Sequence, residues 1–193
     1  MEKSEVSKNS ILNWASVAGL ALGAVSTAYF FITQYLPKLI DSAVAVTAID
    51  TVLWGLKFVG CILLMKIFMQ KLVLSESGAT AAHTFRMGMY AAIFSALIFA
   101  GANLAYILYI NPGSIEEAFA LVKSQYASIL DSNSLAAMES VEDRIPQISF
   151  FSNLVYCALY GTALSGILCR YIPRRDPFAD FRKRDEDNNV EEQ

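Results

Sequence analysis

The sequence predicts an all-α membrane protein of four transmembrane helices with both termini in the cytoplasm. Three observations carry that expectation. Of 193 residues, 55% are hydrophobic and 17% charged, against about a quarter charged in a soluble domain, and the mean hydropathy is +0.42. The apolar residues gather in four runs, each long enough to cross a hydrocarbon core, which takes about 20 residues of helix. Lysine and arginine alternate between rich and poor from one connection to the next.

The first run, residues 11–36, is uncharged and follows a polar start carrying Lys3 and Lys8. A signal peptide is the competing reading, since Ala43-Val44-Ala45 resembles a cleavage site. Its apolar stretch, however, would be only about 7–15 residues long, and Asp41 stands just before the site. A retained helix ending at Pro37 is therefore expected. The second span covers residues 48–69 and holds Lys57, with Lys66 and Lys71 near its far end able to snorkel to the interface. A short polar connection, residues 75–84, leads to the third span, residues 87–110, which has no charge and stops at Asn111-Pro112-Gly113.

Residues 114–146 form the one long connection. Ile115, Phe119, Leu121, Val122, Tyr126, Ile129 and Leu130 recur at helical spacing among Glu116, Glu117, Lys123 and Asp131. That pattern predicts an amphipathic helix on the membrane surface or over the bundle. Ser114 and Glu117 have capping-box spacing. A second short helix is expected from Ser134 to Val141, with Pro146 before the fourth span, residues 148–168. The transmembrane domain thus occupies residues 1–169, and residues 170–193 form a tail that is basic and then acidic.

Orientation follows from the cations. Lys3 and Lys8 lie in the N-terminal tail, and the first connection has only Lys38 against Asp41 and Asp50. Lys66, Lys71 and Arg86 flank the second connection. The third has Lys123 and Arg144 amid Glu116, Glu117, Asp131, Glu139, Glu142 and Asp143. The tail carries Arg170, Arg174, Arg175, Arg182, Lys183 and Arg184. Four spans fit this alternation with residues 114–146 outside; three or five would break it.

Within the spans, Lys57 is the most informative residue. A charge near the centre of a span costs about 2.5–3.5 kcal/mol on insertion scales, so it is paired, hydrated or functional. Asp50, two turns earlier, is too distant for a pair. Asn103 or Asn153, a lipid phosphate, or snorkelling along the helix are the alternatives. Asn103 and Asn153 are also placed to hydrogen-bond across the third and fourth spans. Tyr156 and Tyr160 are expected to hydrogen-bond within the bundle. Small residues recur every four positions at Ala15, Gly19, Gly23 and Thr27, and at Gly88, Ala92, Ala96 and Ala100. Gly161 with Ser165 and Thr162 with Gly166 repeat the spacing. Such stripes let helix backbones approach closely, within the chain or between copies in a homo-oligomer. Arg170, Arg174, Arg175 and Arg182 form a basic cluster suited to anionic lipid, at about 1 kcal/mol per residue, or to an acidic cytoplasmic partner.

Several chemistries find no support. There is no phosphate loop, nucleophile elbow or HExxH motif, and a single histidine, His83, rules out a multi-histidine metal site. Cys61, Cys157 and Cys169 are widely spaced in apolar segments and read as packing residues. No enzyme activity, cofactor or metal is expected, and the acidic balance argues against a nucleic-acid partner.

The uncharged first span, the segment FRMGMYAAIFSALIFAGANLAYILYINPGSIEEAFALVKSQY (85–126) and YCALYGTALSGIL (156–168) before a basic tail together resemble a family of small membrane proteins found mainly in Bacteroidetes, the domain of unknown function 4199. The resemblance covers nearly the whole chain. It implies four helices in the bacterial inner membrane and brings no catalytic residue. It also implies a partner, since members look like genomic neighbours of a family 2 glycosyltransferase. The leading expectation is a non-enzymatic scaffold or accessory subunit for a membrane glycosyltransferase or lipid-linked glycan pathway. The alternative is a small homodimeric lipid or solute transporter in which Lys57 meets an anionic substrate. A polar cavity at Lys57 would favour transport, and a dry packed interior would favour the scaffold.

Overall fold

Side-chain hydroxyls set where the long helices begin. In a computed structural model that describes residues 7–76, 78–126, 131–142 and 144–172, Ser7 caps α1 (Lys8–Leu39), Ser42 caps α2 (Ala43–Ser75) and Thr80 caps α3 (Ala81–Ala105). Each accepts a hydrogen bond from a first-turn amide that has no partner within the helix. At Thr80 the bond is reciprocal, because His83 Nδ1 accepts from the Thr80 amide at 3.3 Å. α3 continues through a π-helical turn, Tyr106–Ile110. α4 (Ser114–Tyr126), α5 (Ser132–Glu142) and α6 (Ile145–Tyr171) complete the order, and Pro146 lies in the first turn of α6, where its missing N–H costs nothing. The described residues contain no strand.

Four helices are long and apolar enough to cross a membrane: Lys8–Leu39, Ala43–Ser75, Ala81–Ile110 and Ile145–Tyr171. Each extends beyond its expected span, because the caps lie outside the apolar runs. Pro37 does not end α1; it falls in the last turn, and the helix runs on to Leu39.

α3 is the central helix, packed along α1 on one side and α6 on the other. The small-residue stripes make these contacts. A Cβ added at Gly19 would come within 2.5 Å of Phe94 Cβ and 2.9 Å of the Ala91 carbonyl. One at Gly161 would come within 2.5 Å of Ala92 Cβ. At Gly88 three helices meet, since an added Cβ would strike the Ser165 hydroxyl and approach Met65 Cε of α2 to 2.9 Å. Ser165 in turn donates to the Phe85 carbonyl at 3.1 Å.

α2 is held differently. It lies mainly against α1 and touches α3 and α6 only lightly. Its buried residues, Met65, Met69, Leu72 and Val73, all belong to its C-terminal half. There they join Ile11, Met87, Leu168 and Ile172 in one core. From Ala43 to Leu64 no residue of α2 is buried. The bundle is therefore tight at the end where α2 finishes and loose toward the end where it starts.

Helices α4 and α5 pack chiefly on each other, with Lys123 Nζ 3.3 Å from Glu142 Oε2. Asp131 caps α5 by accepting from the Ser134 amide at 2.9 Å. Leu121, Val122 and Tyr126 stay exposed on α4.

Candidate functional site

The looseness of α2 leaves a cavity of about 290 Å³ between the four long helices. Leu22 and Ser26 of α1, Ala92, Ser95 and Phe99 of α3, and Cys157, Gly161 and Leu164 of α6 form its walls, and Met65 lies toward the tight end. Lys57, Phe58 and Cys61 reach in from α2. Lys57 stands 14 residues from the start of α2 and 18 from its end, or about 21 and 27 Å at 1.5 Å per residue. It is near the middle of the helix.

Antiparallel packing decides what the lysine meets. Ser10 of α1 donates to Glu76 at the far end of α2, at 2.7 Å. The same register brings Tyr29 opposite Lys57. The ammonium lies 4.9 Å from the Tyr29 ring centroid and 5.6 Å from that of Phe99, a cation–π cradle from two neighbouring helices. The Tyr29 hydroxyl reaches on to donate to Asp50 Oδ1 at 3.0 Å. Tyr29 thus spans the two turns separating acid from base, and Asp50 forms no ion pair with Lys57. Among the described residues no hydrogen-bond acceptor contacts the ammonium. Lys57 shares the cavity lining with Ser26, Ser95 and the thiols of Cys61 and Cys157.

The other expected site residues are arranged apart from it. Asn103 accepts from Ser149 at 3.1 Å and from Asn153 at 3.3 Å, so the two amides join α3 to α6 and neither bonds Lys57. Arg170 is exposed in the last turn of α6. Arg174, Arg175 and Arg182 lie outside the described residues. No group of metal-binding side chains occurs among the described residues. No family model, curated protein or solved structure matches this chain.

The tyrosines of α6 depart from expectation. Neither Tyr156 nor Tyr160 makes a hydrogen bond among the described residues; they stack on each other at 6.5 Å and stand 70% and 42% exposed. α6 turns its small residues to α3, so positions 156 and 160, one turn apart, fall on the side where α2 stands off. Phe58 lies 6.2 Å from Tyr160 and stacks on Trp54 at 5.6 Å. Four aromatic rings therefore rim a side opening between α2 and α6. Lysine 57 was legible as a charge in an apolar run. Tyr29 and the rim were not, because residue type alone does not reveal which helix stands opposite which.

Proposed function

We propose that this chain is a multi-pass membrane protein, N- and C-termini cytoplasmic, that binds and carries the headgroup of an anionic amphiphile. One observation carries this reading: among the described residues Lys57 has no acceptor, and it lines a cavity that opens sideways between two helices. A lysine cation at the centre of an apolar span is costly, and an anion supplied from outside the chain would offset that cost. The side opening lets a hydrocarbon tail stay in lipid while the head enters. The tight end of the bundle lies on the lysine-rich side assigned to the cytoplasm, so the cavity is closed below and loosened above. Exposed Leu121, Val122 and Tyr126 suit α4 to the outer membrane surface.

Reconstituted in liposomes, the protein should move a fluorescent anionic amphiphile between leaflets, and Lys57→Ala should slow that movement about tenfold, the value of one charge-assisted contact. Undiminished flux in the variant would remove Lys57 from the mechanism.

An accessory subunit is the second reading, favoured by exposed Arg170 leading into the basic tail. It predicts a stoichiometric protein partner, such as a glycosyltransferase, in mild-detergent pull-downs. Recovery unchanged after replacing Arg170, Arg174, Arg175 and Arg182 would exclude the tail as the contact.

A further inference from the structure

We infer that the amphiphile is a single-charged anion with a compact head, of the carboxylate type, in preference to a phosphomonoester or diphosphate; this rests on the cavity reading above. Charge is the first reason. Among the described residues, Lys57 is the only cation lining the cavity. Lys66 is nine residues further along α2, about 13 Å away, and is exposed outside the lining. The nearest fixed charge linked to Lys57 is negative: Asp50, joined through the Tyr29 hydroxyl. A monoanion would balance the lysine. A dianion would leave one charge uncompensated in an apolar surround with Asp50 nearby, and buried unpaired charge is strongly disfavoured.

Size is the second reason. A cavity of about 290 Å³ lies at the lower limit of small-molecule sites. It takes a small head and a few methylenes, not a two-chain phospholipid with a sugar or nucleotide head. The rest of the tail must leave through the opening rimmed by Trp54, Phe58, Tyr156 and Tyr160, whose rings offer apolar faces to a hydrocarbon chain. The hydroxyls of Ser26 and Ser95, which line the same cavity, are donors that suit carboxylate oxygens.

The rim also supplies the reporter. The chain has two tryptophans, Trp14 and Trp54, so Trp14→Phe leaves Trp54 as the sole fluorophore beside the tail. The full chain carrying Trp14→Phe, in non-ionic micelles at mildly alkaline pH, is titrated with bromine-labelled stearate, which quenches tryptophan on contact. Unlabelled stearate, stearyl alcohol and stearyl phosphate then compete. Stearate should compete about tenfold better than the alcohol, and stearyl phosphate no better than stearate. Lys57→Gln should bring stearate and alcohol within about twofold of each other, while Lys57→Arg keeps the preference. Alcohol equal to stearate in the parent protein, or phosphate about tenfold better than stearate, would overturn the monoanion assignment. Both would leave cavity binding intact. Failure of the brominated stearate to quench Trp54 would instead remove the binding reading itself.

Discussion

Tyr29 shows how one side chain can hold two charges that do not touch. Its ring lies under the Lys57 ammonium and its hydroxyl donates to Asp50. Tyr29→Phe removes only the hydroxyl. The variant should lose about 1 kcal/mol of stability, the net worth of one hydrogen bond, and retain amphiphile binding; Tyr29→Leu should lose both. Thermal unfolding in detergent with the quenching titration separates the two, and equal loss of binding in both variants would assign recognition to the hydroxyl. At the other side of the molecule, the hydrogen bonds from Ser134, side chain and backbone, hold the Asp131 carboxyl below its usual range. A depressed carboxyl stabilises the fold above its unfolded value, about 3.9, and that contribution is lost as pH falls through the folded value. The Ser134 amide signal in an NMR titration should therefore move with a midpoint below the ordinary aspartate range; a midpoint at or above it would mean the cap is not formed. Lys57 was readable because a cation interrupts an apolar run. Tyr29 was not, because its role comes from register across two helices, as Ser10 and Glu76 also show.

Glycine separates close contact from open space among the helices. Gly161 faces Ala92, whereas Gly55 and Gly60 have nothing within 4 Å of an added Cβ. Alanine favours a helix over glycine by up to about 1 kcal/mol, but forcing a methyl into a filled contact costs about 1–3 kcal/mol. Gly161→Ala should lower the melting temperature of the detergent-solubilised protein, and Gly60→Ala should leave it unchanged or raise it. A rise in both would mean α6 stands off α3 at Gly161. The small-residue stripes were legible in the sequence, yet spacing alone left helix partners undetermined. α1 and α6 both place theirs on α3, whereas the small residues of α2 at the same spacing, Ala43, Thr47, Thr51 and Gly55, are unburied and meet no helix backbone at Gly55. That difference explains the cavity: Met65, Met69 and Leu72 anchor α2 at one end, while Trp54 and Phe58 are too large to admit a backbone at the other. Helix lengths were underestimated for a related reason. Apolar run length measures hydrocarbon thickness, whereas the helix extends to the hydroxyls of Ser7, Ser42 and Thr80 that satisfy its end amides.

The whole molecule is a bundle closed at one end and loosened at the other, so under the proposed function its orientation decides which leaflet supplies the ligand. The proposed topology puts the closed end in the cytoplasm, on the strength of Lys66, Lys71 and Arg86 around the turn between α2 and α3 and Arg170 at the end of α6. α4 and α5, acidic and turned on each other, then fall outside. The assignment is tested after replacing Cys61, Cys157 and Cys169 by alanine and placing single cysteines at exposed Asn9 or Ser124. A membrane-impermeant maleimide applied to intact spheroplasts should modify the cysteine at 124 and spare the one at 9, with both modified after lysis. The reverse pattern would invert the protein and make the cavity load from the cytoplasmic leaflet. Modification of both in intact cells would require an odd number of crossings between the two positions to become even, which three intervening spans forbid, and would overturn the four-span topology. With the expected pattern, Lys57 sits about 21 Å below the outer end of α2, reachable from the outer leaflet past the aromatic rim and shut from the cytoplasm by the Met65–Gly88–Ser165 junction. Passage of a headgroup to the inner side would then require that junction to open, and Gly88→Ala, which wedges it, should slow flux more than it weakens binding.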